Sequence, residues 1–196
     1  MDKKATRRSS GPRSFDRDQA IQTAMHLFRQ YGYEGVSVSE LTKAIGIAPP
    51  SLYAAFGNKA GLYREALDHY SALPGALDGI EGAATLEQAV EGMLDAAARA
   101  VTTQERGCMI STGLIECAGE HAALHHDLVE RRRGLRDNMA KALGRWLAPK
   151  EAAQLASLLF AIQQGMSIQA RDGATLEDLR IIAQEASAGI SARSLA

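Results

Sequence analysis

Apolar residues recur every three or four positions along almost the whole chain, and glycine, proline or a capping residue interrupts them at short intervals. That is the period of a helix, and no segment alternates as a half-buried strand does. Asp16 is placed to cap a first helix running to about residue 31. Ala20, Ile21, Ala24, Leu27, Phe28 and Tyr31 form its apolar stripe and Gly32 ends it. Ser37 followed three residues later by Glu40 is a capping box, so a second helix starts near Val38. It closes at Ala44 and Ile45, where Gly46 supplies a turn. The prolyl pair Pro49-Pro50 can begin a helix but not interrupt one, which predicts a third helix to about Phe56. Gly57-Asn58 separates it from a fourth, with Leu62, Tyr63, Ala66, Leu67 and Tyr70 facing inward.

Pro74, Gly75, Gly79 and Gly82 then fall within residues 72–84, and a domain boundary is placed there. Helices are expected over 85–103, a short one over 109–117, a long one over 122–147, a strongly apolar one over 149–173, and a last one over 175–191. The fold class is all-α with about nine helices. Residues 1–13 form a basic arm, 14–74 a first domain and 75–196 a second.

Two short helices joined by a tight glycine turn over residues 37–56 make a helix-turn-helix, the unit that presents a second helix to the major groove of double-stranded DNA. Net charge is only −1. Its distribution matters more: residues 1–70 carry ten Lys/Arg against seven Asp/Glu, a net of +3, which leaves −4 for the rest. Lys3, Lys4, Arg7, Arg8 and Arg13 form an arm that suits phosphate contact, with a solubilising tail as the other reading. No apolar run reaches the roughly 18 residues a membrane span needs. The polar, basic start is not a signal peptide, and two cysteines are too few for a disulfide scaffold. A soluble cytoplasmic protein without cofactor or metal is expected.

Gly32-Tyr33-Glu34-Gly35, Ser37-Val38, Leu41, Gly46-Ile47, Ser51-Leu52-Tyr53, Phe56 and Lys59-Leu62 together resemble the TetR family of one-component bacterial transcription regulators. The resemblance is dense over about 14–74 and beyond that is one of architecture. It implies a three-helix DNA-binding unit, a connecting fourth helix, and a helical domain that dimerises through its last two helices. It also implies a dimeric repressor on a palindromic operator. Tyr53 and Lys59 match family residues that reach backbone phosphate. Pro50, Ser51 and Ala54 lie at the leading end and face of the recognition helix, where base edges are read. Ser37 and Ser39 add donors at a positive helix end, with Thr42 a further candidate. The double proline removes two backbone donors and places an apolar ring where a base contact is expected, so reading here is mostly apolar.

A small, mainly apolar effector is expected in a cavity of the second domain, with Met93, Ala97, Met109, Thr112, Cys117 and Gln163 as candidate lining. Cys108 is placed near a helix N-terminus beside Arg106, which suggests a second reading as a sensor of oxidants or electrophiles. His121 and His125 stand one helical turn apart, a spacing that can hold a metal. No second cluster completes such a site, and a charged helix start explains them better. The run Glu130-Arg131-Arg132-Arg133 reads as a solvated face. A helical enzyme is disfavoured, because nucleophile–base pairs, useful carboxylate pairs and phosphate-binding glycine loops are lacking. A purely structural interaction protein is disfavoured by the intact capping box, turn and Lys59.

Overall fold

A computed structural model describes residues 15–115 and 118–194, with side chains described through residue 191. The basic arm over 1–13 and Cys117 lie outside the described residues. Among the described residues there are eight α-helices and no strand. They are α1 (Arg17–Tyr31), α2 (Val38–Ile45), α3 (Pro49–Phe56), α4 (Lys59–Ser71), α5 (Leu86–Val101), α6 (Ala122–Leu143), α7 (Pro149–Arg171) and α8 (Leu176–Ser194). A 3-10 turn, Ala76–Ile80, lies between α4 and α5, and a shorter one, Gly119–His121, precedes α6.

Helix starts follow local chemistry. The Asp16 carboxylate accepts the Gln19 N–H, Asn58 accepts the Gly61 N–H, and Thr85 accepts the Gln88 N–H. Each satisfies one of the amides that a helix start leaves without an internal partner. The Ser37–Glu40 box is complete in both directions. Gly46 ends α2 at φ 79°, ψ 30°, a left-handed conformation that a side chain resists.

Two apolar clusters hold the chain together. The first joins Phe28, Leu41, Leu52, Leu62, Tyr63 and Leu67 of the first four helices to Met109, Ile110, Leu114, Leu124 and Leu128. The helix-turn-helix unit therefore shares a core with the segment before α6 and with α6 itself. The second cluster packs α5, α7 and α8 through Met93, Leu94, Leu159, Phe160, Met166 and Leu179. Ion pairs stitch α4 to α6 as well, Arg64 to Asp127 at 2.6 Å and Arg131 to Asp68.

The ninth helix, expected over 109–117, is not formed in the described part of that segment, which runs as a succession of turns. Arg106 at φ 48°, Gly107 at φ 74° and Leu114 at φ 44° break the helical path at both ends. The segment's carbonyls find side-chain partners instead. The Arg132 guanidinium donates to Ile110 O and Gly113 O, and Gln164 Nε2 donates to Ser111 O. Arg132 is thus a loop clamp and Arg131 an ion-pair partner, so the charge run is not simply a solvated face. The helix expected to reach residue 147 ends at Leu143, and Trp146 Nε1 donates to Ala84 O beyond it.

Candidate DNA-binding surface and regulatory cleft

Helix α3 divides sharply by burial. Leu52 and Phe56 point into the core, whereas Pro49, Pro50, Ser51, Tyr53 and Ala54 are exposed. Tyr53 is 49% exposed, so its hydroxyl stands in solvent and its ring is not part of the core. The prolines have no N–H, and the first amide of α3 that exists, Ser51 N–H, donates to Ala48 O at 2.9 Å. The leading end of this helix therefore presents side chains and pyrrolidine rings, and no free backbone donor.

The start of α2 is different. Ser37 uses its N–H and its hydroxyl on the Glu40 carboxylate, both at 2.7 Å, while its Oγ accepts the Glu40 N–H. These bonds hold the Glu40 carboxyl below its usual pKa. Ser37 is first a cap, and the donors left at this helix end are the amides of Val38 and Ser39 and the exposed Ser39 hydroxyl. Thr42 is 5% exposed and its hydroxyl donates to Val38 O and Ser39 O. Its hydroxyl hydrogen is engaged inside its own helix.

Lys59 opens α4 with its ammonium 4.2 Å from the centre of the Tyr33 ring. Burial lowers its pKa, and the carboxylates of Glu34 and Glu40 oppose that shift. Glu40, in the first turn of α2, is thus near enough to Lys59 at the start of α4 for the two charges to influence each other. Lys59, the start of α2 and the exposed face of α3 together make up the candidate DNA-binding surface, a helix start and a cation being groups that suit phosphate.

At the other end of α4, a cleft of about 360 Å³ lies between its last turn, the 72–78 segment, α5, α6 and α7. Of the six predicted lining residues, Ala97 and Gln163 are there. Met93 and Met109 are 0% and 2% exposed and fill the two cores, and the Thr112 hydroxyl donates to Cys108 O. Tyr70, Ser111, Leu135, Met139 and Phe160 line the cleft without having been predicted. Helical period marks Tyr70, Leu135, Met139 and Phe160 as inward-facing, and nothing in that period distinguishes a cavity wall from solid core; Ser111 stands in the segment of turns.

Cys108 also lines the cleft, but not at a helix start, since no helix begins there. Its N–H donates to the buried Ser167 Oγ at 2.8 Å, and its Sγ accepts the Ser111 N–H at 3.4 Å. Tyr70 lines the cleft beside the same side chain, and burial above all raises the Tyr70 pKa. His121 packs edge-on against Tyr33 and lies 3.0 Å from Glu34, which ties the turn before α6 to the first domain. Groups of three metal-ligating side chains are absent among the described residues.

An all-helical chain that carries a helix-turn-helix at one end of a shared helix and a cleft at the other has the build of a DNA-binding regulator. The model of the family described as bacterial regulatory proteins, tetR family, matches residues 20–66. The chain is 34% identical over 183 residues to the HTH-type transcriptional repressor ComR of Escherichia coli K12, spanning 88% of this chain and 87% of ComR. It is 33% identical over 193 residues to the HTH-type transcriptional repressor BdcR of the same organism, spanning 90% of each. Among solved structures, a cysteine-substituted form of the TetR family regulator CifR, in complex with a 26-base-pair operator DNA, matches at TM-score 0.83. That match has 34% identity and covers 91% of this chain and 98% of the other. The chain belongs to the TetR family of bacterial transcriptional regulators and is not an enzyme. No helix among the described residues is long and apolar enough to cross a membrane.

Proposed function

We propose that the protein is a repressor that binds a palindromic operator as a homodimer and leaves it when a small, mainly apolar effector fills the cleft. The observation that carries this reading is the position of α4. Its first residue, Lys59, opens the helix beside the helix-turn-helix, and its last turn, with Tyr70 and Ser71, walls the cleft. A ligand that changes the cleft therefore acts on the same rigid helix that positions the DNA-binding unit. It drives release only to the extent that it binds the DNA-incompetent arrangement better.

Phosphate anchoring falls to the Ser39 hydroxyl, the start of α2, Tyr53 and Lys59, with Ser37 holding that start in shape. Reading of bases falls to Ser51, Ala54 and the Pro50 ring, supplemented by DNA shape. Relatives called repressors, and an operator complex of a similar protein, support this assignment. The test is fluorescence anisotropy with a palindromic operator and a random duplex of equal length at moderate salt. Equal affinity for the two would overturn the reading. Lys59→Gln is expected to weaken operator and random duplex about equally and to lower the salt slope by roughly 1, the loss of one phosphate contact. An unchanged slope would remove Lys59 from the interface.

The dimer surface is the outer face of the last two helices. Leu158, Ala161, Gly165 and Ile168 recur at helical spacing on α7, with Leu158 40% and Ile168 48% exposed; Ile181 on α8 is 53% exposed. Ala188 and Gly189 continue the α8 side with small residues that allow close approach. Leu158→Glu combined with Ile181→Glu is expected to yield monomers by analytical ultracentrifugation and to lose operator binding at concentrations that saturate the parent protein. A dimer that persists would place the interface elsewhere.

A second reading, thiol sensing through Cys108, is favoured by the place of this residue in the wall of the same cleft and by the Ser111 amide directed at its Sγ. Release of operator by an electrophile that persists in Cys108→Ser would dispose of it.

A further inference from the structure

The wall of the cleft holds two polar groups with nothing to bond. Ser111 is 5% exposed, and its Oγ is buried without a hydrogen-bond partner; Gln163 Nε2 is in the same condition. Both residues line the cleft. Their neighbours are satisfied: Gln164 Nε2 donates to Ser111 O at 2.9 Å, and Ser167 Oγ accepts the Cys108 N–H. Buried polar groups in native proteins are nearly always paired, so two orphans in the wall of one cleft point to a guest.

The rest of the wall defines that guest. Leu135, Met139 and Phe160 make the inner surface apolar, and among the described residues the lining has no lysine, arginine or histidine. No cationic side chain stands in this wall to meet an anion, so desolvation weighs against one; Arg29 and Arg99 line only the adjoining cleft beyond Tyr70. The one carboxylate of the wall, Asp78, is engaged at the start of the 3-10 turn, where it accepts the Gly75 N–H. The size lies at the low end of ligand cavities.

We infer that the cleft binds a compact, uncharged molecule with an apolar body and a single oxygen acceptor. The oxygen receives hydrogen bonds from Gln163 Nε2 and Ser111 Oγ, while the body lies against Phe160, Met139 and Leu135. This specifies the chemistry of the effector in the proposed function and rests on that reading only for its consequence at the operator.

Three isosteric probes separate the terms. Acetophenone has the acceptor, α-methylstyrene replaces that oxygen with a methylene, and benzoate adds a negative charge at the same size. In calorimetric titrations of the full chain, acetophenone is expected to bind, α-methylstyrene to bind about tenfold more weakly, and benzoate not to bind. Ser111→Ala and Gln163→Leu are each expected to reduce acetophenone affinity by roughly three- to tenfold, the worth of one neutral hydrogen bond, and to leave α-methylstyrene unchanged.

A second readout guards against loss of fold. Because the Ser111 hydroxyl has no partner in the free protein, Ser111→Ala is expected to melt no lower than the parent. α-Methylstyrene binding as tightly as acetophenone, a preference for benzoate, or failure of all three probes to bind would overturn the inference. Acetophenone that binds with the stated residue dependence but leaves the operator occupied would uphold the ligand chemistry and defeat release by an effector. Operator release by a ligand indifferent to both substitutions would do the reverse.

Discussion

Arg29→Met is expected to lower stability by about 3 kcal/mol, the low end for breaking a buried charged cluster. In a chain of this size that corresponds to a melting point roughly 6–12 °C lower. Arg29 belongs to α1, in the DNA-binding unit, yet it is only 6% exposed. Its guanidinium donates to Ala100 O at the end of α5 at 2.6 Å and to Gly107 O at 3.2 Å. It also lies 3.6 Å from the Glu105 carboxylate and faces the Tyr70 ring. Methionine keeps most of the apolar stem but leaves two partly buried carbonyls and one carboxylate short of a donor.

The loss reaches beyond a single site. Arg171 Nη2 donates to Arg29 O, and Arg106 Nη1 donates to Ala170 O and Ala174 O, so three arginines form a seam joining α1, the loop after α5 and the end of α7. Arg29→Lys keeps the charge but loses the fork that meets two carbonyls in different directions, and an intermediate cost is expected. Operator affinity at saturating folded protein should change little, because every group on the DNA-facing edge is untouched. Urea melts of the three proteins decide the matter: a methionine variant within 1 kcal/mol of the parent would mean that the seam carries no weight.

The seam also shows where sequence reasoning stops. The helix-turn-helix was legible because its signals are local: a capping box, a glycine in left-handed conformation and a prolyl pair at a helix start each act within a few residues. The exposed set Pro50, Ser51, Tyr53 and Ala54 follows from the same helical period. Arg29 carried no such signal, since a lone arginine within an apolar stripe reads as a solvated side chain. Its partners lie more than seventy residues away in sequence. The segment after Gly107 misled for a related reason. Its composition suits a helix, but its carbonyls are taken by Arg132 and Gln164 from α6 and α7, and local propensity is overridden by tertiary hydrogen bonding. The cleft was legible only in outline, because whether an inward-facing residue meets another side chain or a void depends on how helices are spaced.

Gly92→Ala separates the cleft from the DNA-binding unit more cleanly than any change in the cleft wall. Gly92 lies in the middle of α5, where alanine would by itself favour the helix by about 1 kcal/mol. In the fold it faces Gly79 of the Ala76–Ile80 turn so closely that a Cβ on either would overlap the carbonyl of the other. Both obstructions are backbone, and neither can rotate aside. The turn must lift from α5, which exposes Leu77 and Ile80, two apolar residues packed against the second core cluster. Overpacking of this kind costs about 1–3 kcal/mol, enough to reverse the gain in helix propensity.

The same turn supplies Ala76, Leu77 and Asp78 to the cleft wall. Gly92→Ala is therefore expected to lower stability by about 1–2 kcal/mol, to weaken acetophenone binding at least tenfold, and to leave operator affinity within about twofold. Gly79→Ala should do the same from the other side. Because either methyl group already lifts the turn, the double substitution should cost scarcely more than one alone, so that the two effects are strongly non-additive. Denaturant melts and probe titrations of the two single variants and the double variant measure this directly. A stabilised Gly92→Ala, or costs that simply add, would mean that the two backbones are not in the contact the fold requires.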